Sequence, residues 1–180
     1  MEQLKQTAGL FMVGIPYRGG GPLMTDLLGA QGGGYRQFLH TLMGGRIAIA
    51  ALSVGLAQAC LDASLAYAKE RRTFGVPISK HQAVQFKLAD MAMETELART
   101  MVYRAAAAYM QSGSDTPEQT RMLAAMCKLY ASETSKRAAD QAVQIHGGYG
   151  FMEDYPVARY WRDVKVNEIG EGTSEVQRML

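Results

Sequence analysis

Between Arg46 and Gly147, apolar residues recur at helical spacing, and only two stretches, "TFGVP" and "SGSDTPEQ", combine glycine with proline. Proline removes a backbone donor and glycine costs conformational entropy, so such stretches end helices and the intervals between them sustain helices. The first interval places Ile47, Ala51, Val54, Leu61, Leu65 and Ala68 on one stripe, with its stop at Thr73-Phe74-Gly75-Val76-Pro77. The second predicts a helix from His81 to about Gln111, with Val84, Leu88, Met91, Ala98, Val102 and Ala105 inward. The third has Pro117 in its first turn and carries Met122, Met126, Leu129, Ala139 and Val143 inward to a stop at Gly147-Gly148. Pro156 opens a short fourth helix to about Val166, and Thr173 or Ser174 caps a fifth. Three long amphipathic helices on short connections predict an all-α, up-down helical bundle.

The preceding residues cannot join that pattern. Gly19-Gly20-Gly21-Pro22, Gly29 and Gly32-Gly33-Gly34 cut them into short pieces. There "LFMVGI" reads as a strand and "PLMTDLLGAQGGGY" as a returning extended segment. The organisation expected is a short irregular or β remnant over residues 1–39, then a helical domain over residues 40–180. The triple glycines lack a GxGxxG pattern or a Walker lysine, so a linker is the better reading.

Charge is nearly balanced, at +2 from 19 basic and 17 acidic residues with no basic arm, which disfavours a nucleic-acid partner. The longest apolar run, Ile47 to Ala57, falls short of the roughly 20 residues that span a bilayer. Cys60 and Cys127 lie in apolar helical surroundings without CxxC spacing, and read as small buried hydrophobes in a reducing, cytoplasmic setting. The twelve methionines read as adaptable core filler.

No HExxH, paired CxxC or GxSxG occurs, and His40, His81 and His146 share no ligand spacing, so no metal site is expected. Polar residues gather instead at helix ends: Arg71, Arg72 and Phe74 in "ERRTFG", His81-Gln82, Gln144 in "QIHGGYG", and the final "EGTSE". Singly, each has a commonplace structural reading, as a dipole complement, a solvated charge or a C-cap. Together they supply a guanidinium for phosphate, a planar ring for stacking, amide side chains and approachable backbone. Glu171, between Gly170 and Gly172 with Thr173 following, is either punctuation at a helix start or a catalytic carboxylate.

The segments "GGRIAIAALSVGLAQACLDASLAYAKERRTFGVPISKHQAVQFKLADMAMETELAR" and "AVQIHGGYGFMEDYPVARYWRDVKVNEIGEGTSEVQR" resemble the C-terminal domain of the acyl-CoA dehydrogenases. The likeness runs from about Leu39 to the end, and "PLMTDLLGAQGGGYRQFL" is similar to the family's link from the middle β-domain. It implies a bundle of that family's type and an FAD enzyme that converts an acyl-CoA thioester to the trans-2-enoyl product. In the family a carboxylate takes the α-proton, the β-hydrogen leaves as hydride to flavin N5, and electrons pass to an electron-transfer flavoprotein. The base of the E-G-T motif corresponds to Glu171. Some relatives place it just before the arginine matching Arg46, where this chain reads Met43-Gly44-Gly45.

The same resemblance implies Arg71, Thr73, Phe74, His81, Gln82, Gln144, Gly147, Gly148, Thr173 and Glu175 for FAD, and Arg46 and Gly172 for the acyl-CoA substrate. Several of these reach a neighbouring subunit's flavin in the family, so a homodimer or homotetramer is expected. The family's N-terminal helical domain and full β-domain have no counterpart in this sequence, which reads as a fragment or truncated member. Two other readings stand: a non-catalytic helical oligomerisation module, and an acyl-CoA oxidase that uses oxygen.

Overall fold

The computed structural model describes residues 34–112 and 116–179, with side chains from Thr41 onward. The expected strand "LFMVGI" and the rest of the segment before Gly34 lie outside the described residues. Three long helices dominate: α1 over Gly34–Glu70, α2 over Gln82–Gln111 and α3 over Glu118–His146. Between α1 and α2, strands β1 (Arg72–Thr73) and β2 (Val76–Pro77) pair antiparallel with Thr73 opposite Val76, and a 3-10 turn spans Ile78–Lys80. After α3 come a second 3-10 turn, Gly147–Phe151, and three short helices, α4 (Pro156–Asp163), α5 (Lys165–Ile169) and α6 (Ser174–Arg178).

Two apolar clusters fix the topology. In one, Ile47, Ala50 and Val54 of α1 meet Ala98, Val102 and Ala105 of α2 and Leu123, Ala124, Cys127 and Ala131 of α3. In the other, Ala57, Leu61 and Ala68 meet Leu88 and Met91 and then Ala138, Ala142 and Ile145, with Val157 of α4 and Val164. The start of α1 therefore lies beside the end of α2 and the start of α3, which makes the bundle up-down-up. Met91 is 2% exposed at the centre of the second cluster. We expect Met91→Ala to cost about 2–4 kcal/mol in chemical denaturation, from lost burial and the cavity left behind.

The buried stripe of α1 is more regular than expected. Met43, Ala50, Ala57 and Ser64 form one seven-residue series, and Ile47, Val54, Leu61 and Ala68 another. Ala51 and Leu65, expected inward, are exposed, because the buried face keeps an exact heptad that a 3.6-residue count drifts across. The helix also begins near Gly34 and runs through Gly44-Gly45, well before Arg46. With that extra length, Thr41–Glu70, unlike Ile47–Ala57 alone, is apolar and long enough to cross a membrane by length and composition. In this fold the helix is a bundle member that supplies both apolar clusters.

The inward residues predicted for α2 are buried or half-buried as expected. On α3 Ala139 is buried and Leu129 and Val143 are half-buried as expected, and Leu123, Ala124, Cys127, Ala131, Ala138 and Ala142 are buried with them, whereas Met122 and Met126 are exposed. Methionine as core filler holds for Met43 and Met91, whereas Met93, Met110, Met122, Met126, Met152 and Met179 face outward. On α2 Phe86, Met93, Leu97, Tyr103 and Met110 are exposed, apolar side chains that the described residues leave uncovered. The predicted fourth helix is two helices with a joint at Val164. Cys60 and Cys127 are buried free thiols, and burial pushes both thiols up to about 12, which makes them inert.

Candidate active site and cofactor cradle

The candidate residues fall into two groups at opposite ends of the bundle. The first surrounds Glu171. Gly170 has an ordinary φ of −58°, while Glu171 (φ 57°) and Gly172 (φ 98°) occupy the left-handed region in succession. The kink thus falls on the acid itself and the glycine after it, where the sequence pointed to both flanking glycines. A left-handed conformation costs a residue with a Cβ roughly 1–2 kcal/mol, so the surrounding contacts must hold it. Thr173 then caps α6, its Oγ1 accepting from the Val176 N–H at 3.4 Å, as expected from sequence. Glu175, exposed in the first turn, has its carboxyl held below the usual range by its own backbone N–H and by the Thr173 hydroxyl.

Three residues that the sequence reading did not select build the rest of this end. Gly45 on α1 faces the acid directly: a Cβ there would stand 2.6 Å from Glu171 Cδ, and 2.7 and 2.9 Å from its two oxygens. Only a hydrogen at position 45 leaves room for the carboxylate. Lys128 of α3 is fully buried, and its Nζ donates to the carbonyls of Glu168 (3.0 Å) and Gly172 (2.7 Å). Gln177 of α6 donates from Nε2 to the carbonyls of Glu171 and Gly172, each at 3.0 Å. A lysine in the middle of an alanine- and serine-lined helix face was the available signal for Lys128, had that face been assigned correctly.

Arg46, next along α1, is buried, and its Nε has no hydrogen-bond partner among the described residues. Burial lowers its pKa, and the neighbouring Glu171 charge opposes that shift. A buried guanidinium with an unsatisfied N–H is costly, and a polar ligand group would relieve it.

The second group lies where α1 ends and α3 stops. Thr73 Oγ1 and His81 Nε2 are 3.0 Å apart, and the β1–β2 turn between them presents Phe74 at φ 51°, 96% exposed, edge-on to the His81 ring. The Arg71 guanidinium stands 5.4 Å from the centroid of the Tyr149 ring. Gly147, at φ 61°, and Gly148 have open space where side chains would project. Tyr67 stacks on His146 at 4.2 Å and donates its hydroxyl to the His146 carbonyl, which fixes the turn that carries the glycines. A cavity of about 590 Å³ is bounded by Tyr67, Arg71, Thr73, His146, Gly147 and Gly148, among others. Gln82 and Gln144 are exposed at the neighbouring helix ends. Guanidinium, aromatic faces and bare backbone around one cavity match the needs of a dinucleotide.

The sequence-selected residues therefore converge, but in two places. Arg46, Glu171, Gly172, Thr173 and Glu175 belong to one end; Arg71, Thr73, Phe74, His81, Gln82, Gln144, Gly147 and Gly148 belong to the other. Between Arg46 and Glu70, α1 rises about 36 Å at ~1.5 Å per residue. Among the described residues, no group of three or more His, Cys, Asp or Glu side chains could hold a metal ion.

Comparison with known proteins was made on this framework. Residues 32–180 match the family model "Acyl-CoA dehydrogenase, C-terminal domain". A probable acyl-CoA dehydrogenase, YngJ, of Bacillus subtilis is 60% identical over 155 residues, covering 86% of this chain and 40% of that protein. Among solved structures, butyryl-CoA dehydrogenase from Megasphaera elsdenii superposes with a TM-score of 0.77 at 47% identity, over 82% of this chain and 37% of that one. An acyl-CoA dehydrogenase from Bacillus anthracis, solved in complex with FAD, superposes at a TM-score of 0.75 and 32% identity, over 82% of this chain and 28% of that one. The chain spans about 40% of the length of the curated relatives it matches.

Proposed function

Because the chain belongs to the acyl-CoA dehydrogenase family through its C-terminal domain, we propose that it supplies the base and part of the cofactor site of an FAD-dependent acyl-CoA dehydrogenase. The observation that carries this reading is the Glu171 carboxylate lying over Gly45, beside the buried Arg46, on a turn held in an unfavourable backbone conformation. A strained acid whose opposite wall has been reduced to glycine is expensive to keep unless the acid has work to do.

In the proposed reaction Glu171 accepts the α-proton of an acyl-CoA thioester. The electron pair of the broken Cα–H bond becomes the second bond between Cα and Cβ of the trans-2-enoyl product. The β-hydrogen would leave as hydride, for which bound FAD would supply the acceptor. The family resemblance assigns the backbone N–H of Glu171 to the thioester oxygen, where negative charge develops. Arg46 lies close enough to Glu171 for their charges to interact and has an unsatisfied Nε, so a polar group of the substrate is its natural partner. Thr173 fixes the start of α6 behind the base.

The residues at the far end fit FAD by their chemistry. Arg71 would neutralise pyrophosphate, and Gly147 and Gly148 would let the nucleotide approach the backbone. A single dinucleotide cannot touch both that cradle and the Glu171 end across some 36 Å of helix α1. This separation favours an assembly in which each cradle serves a neighbouring subunit's flavin, a homodimer or homotetramer, and the uncovered apolar residues of α2 agree with it. Two buried free thiols accord with a cytoplasmic setting, and an electron-transfer flavoprotein is the acceptor that the family resemblance implies. Purified flavin-loaded protein should bleach when butyryl-CoA is added without air. A flavin that keeps its colour with every acyl-CoA offered would refute the reading, and rapid peroxide release in air would favour the oxidase form.

Arg71→Ala tests the cradle separately. Losing one charge-assisted contact to phosphate should weaken flavin retention about tenfold, measured as flavin-to-protein ratio after dialysis. Unchanged occupancy would remove Arg71 from the site.

A further inference from the structure

We propose that Lys128 is a positioning residue for the base, its buried ammonium holding the Glu171 turn in the conformation that chemistry requires. The inference rests on the reading of Glu171 as the base and adds a residue to it. Four observations converge on Lys128. Its side chain is fully buried in the middle of α3. Its ammonium reaches across to carbonyls on both sides of the acid, those of Glu168 and Gly172. The Glu168 carboxylate is paired with Lys165, so Lys128 takes the carbonyl of that residue and not its acid. The segment it grips contains two successive residues at positive φ.

A buried cation without a carboxylate in direct contact is an expensive way to secure a turn. A neutral amide already does half of that work, because Gln177 donates to the carbonyls of Glu171 and Gly172. What the ammonium adds is charge. The charged groups that bear on it are Glu168 from α5, Arg46 from α1, Glu171 from the turn and Glu175 from α6. Lys128 and Arg46 therefore give this pocket two buried positive groups beside the Glu171 carboxylate. Such a field favours the negative charge that develops on the thioester oxygen during proton transfer. The clamp also fixes geometry: with the carbonyls of residues 168, 171 and 172 all held, the acid cannot relax to an ordinary conformation and swing away from Gly45.

The test compares Lys128→Met with the parent protein, flavin-loaded, with butyryl-CoA as the probe. The side chain keeps its length and loses its charge and donors. We expect kcat to fall about 100-fold, as for a reactive group misplaced by an ångström, with KM little changed. Independently of turnover, amide hydrogen exchange over residues 168–172 should quicken at least about tenfold while α1 and α2 keep their protection. A packing role alone would lower stability without a fall in kcat at unchanged KM. Should the methionine variant not fold, Gln177→Leu removes the other half of the clamp and must show the fall in kcat and the faster exchange. Parental kcat and exchange in a folded variant would overturn the assignment of Lys128 and leave Glu171 as the base if Glu171→Gln is still inactive. If Glu171→Gln is active, the reading beneath the proposal fails instead.

Discussion

Glu171→Gln is expected to retain flavin and to lose its bleaching by acyl-CoA, with the rate of flavin reduction down by at least about 10⁴-fold. The amide is the same size as the acid, so the turn, its clamp and the space over Gly45 survive the substitution. What disappears is the acceptor for a proton that is only weakly acidic beside a thioester. General-base assistance typically contributes 10²–10⁴-fold, and here the second half of the reaction cannot begin without it. Stopped-flow absorbance of the flavin without oxygen measures the effect. The direction follows from contact: Glu171 is the acid that meets Gly45, and no other described side chain lies as close to that glycine. Bleaching at a parental rate would move the base elsewhere.

Gly45→Ala should be nearly as damaging, although it removes no functional group. The added methyl would fall 2.6–2.9 Å from all three terminal atoms of the Glu171 side chain. The carboxylate must move, and the clamp on its backbone leaves only side-chain rotation for that movement. Displacement of about an ångström costs on the order of 100-fold in rate, so reduction by butyryl-CoA should slow to that degree while the helix, gaining a better helix former, holds its stability. A stable Gly45→Ala variant with parental kinetics would show that the acid points away from α1 in the working enzyme. The same geometry bears on the two base locations that the family resemblance implies. A carboxylate carried at position 45 would occupy the space now filled by the one from position 171. Gly45→Glu in a Glu171→Gly background should therefore recover part of the activity that Glu171→Gly alone loses.

The bundle was legible in the sequence because Gly/Pro breaks and apolar spacing are local signals. Helix α2 illustrates this, since Leu88, Met91, Ala98, Val102 and Ala105 are all inward as expected. Helix α3 was harder to read. Alanine and serine occur on several of its faces, so hydrophobicity alone could not distinguish the side lined by Ala124, Cys127 and Ala131 from the side carrying Met122 and Met126. Choosing Met122 and Met126 as core misplaced part of the buried face, although Ala139 is buried as expected, and hid Lys128, whose burial is the main evidence of its role. Glu171 was legible through its motif, but the importance of Gly45 was not. Their contact spans more than 120 residues of sequence, and nothing local about a helical glycine says that a carboxylate lies over it. The resemblance implied that some of the proposed cofactor residues serve a neighbouring subunit, but which residues lie at which end was not legible until the length and direction of α1 were known.

The most direct test follows the proton and not the flavin. Incubated in deuterium oxide with butyryl-CoA, the flavin-loaded protein should incorporate deuterium at Cα, detected by mass spectrometry of the recovered thioester. Incorporation should vanish with Glu171→Gln. Equal incorporation by the parent and the glutamine variant would contradict the assignment of Glu171 as the group that takes the α-proton.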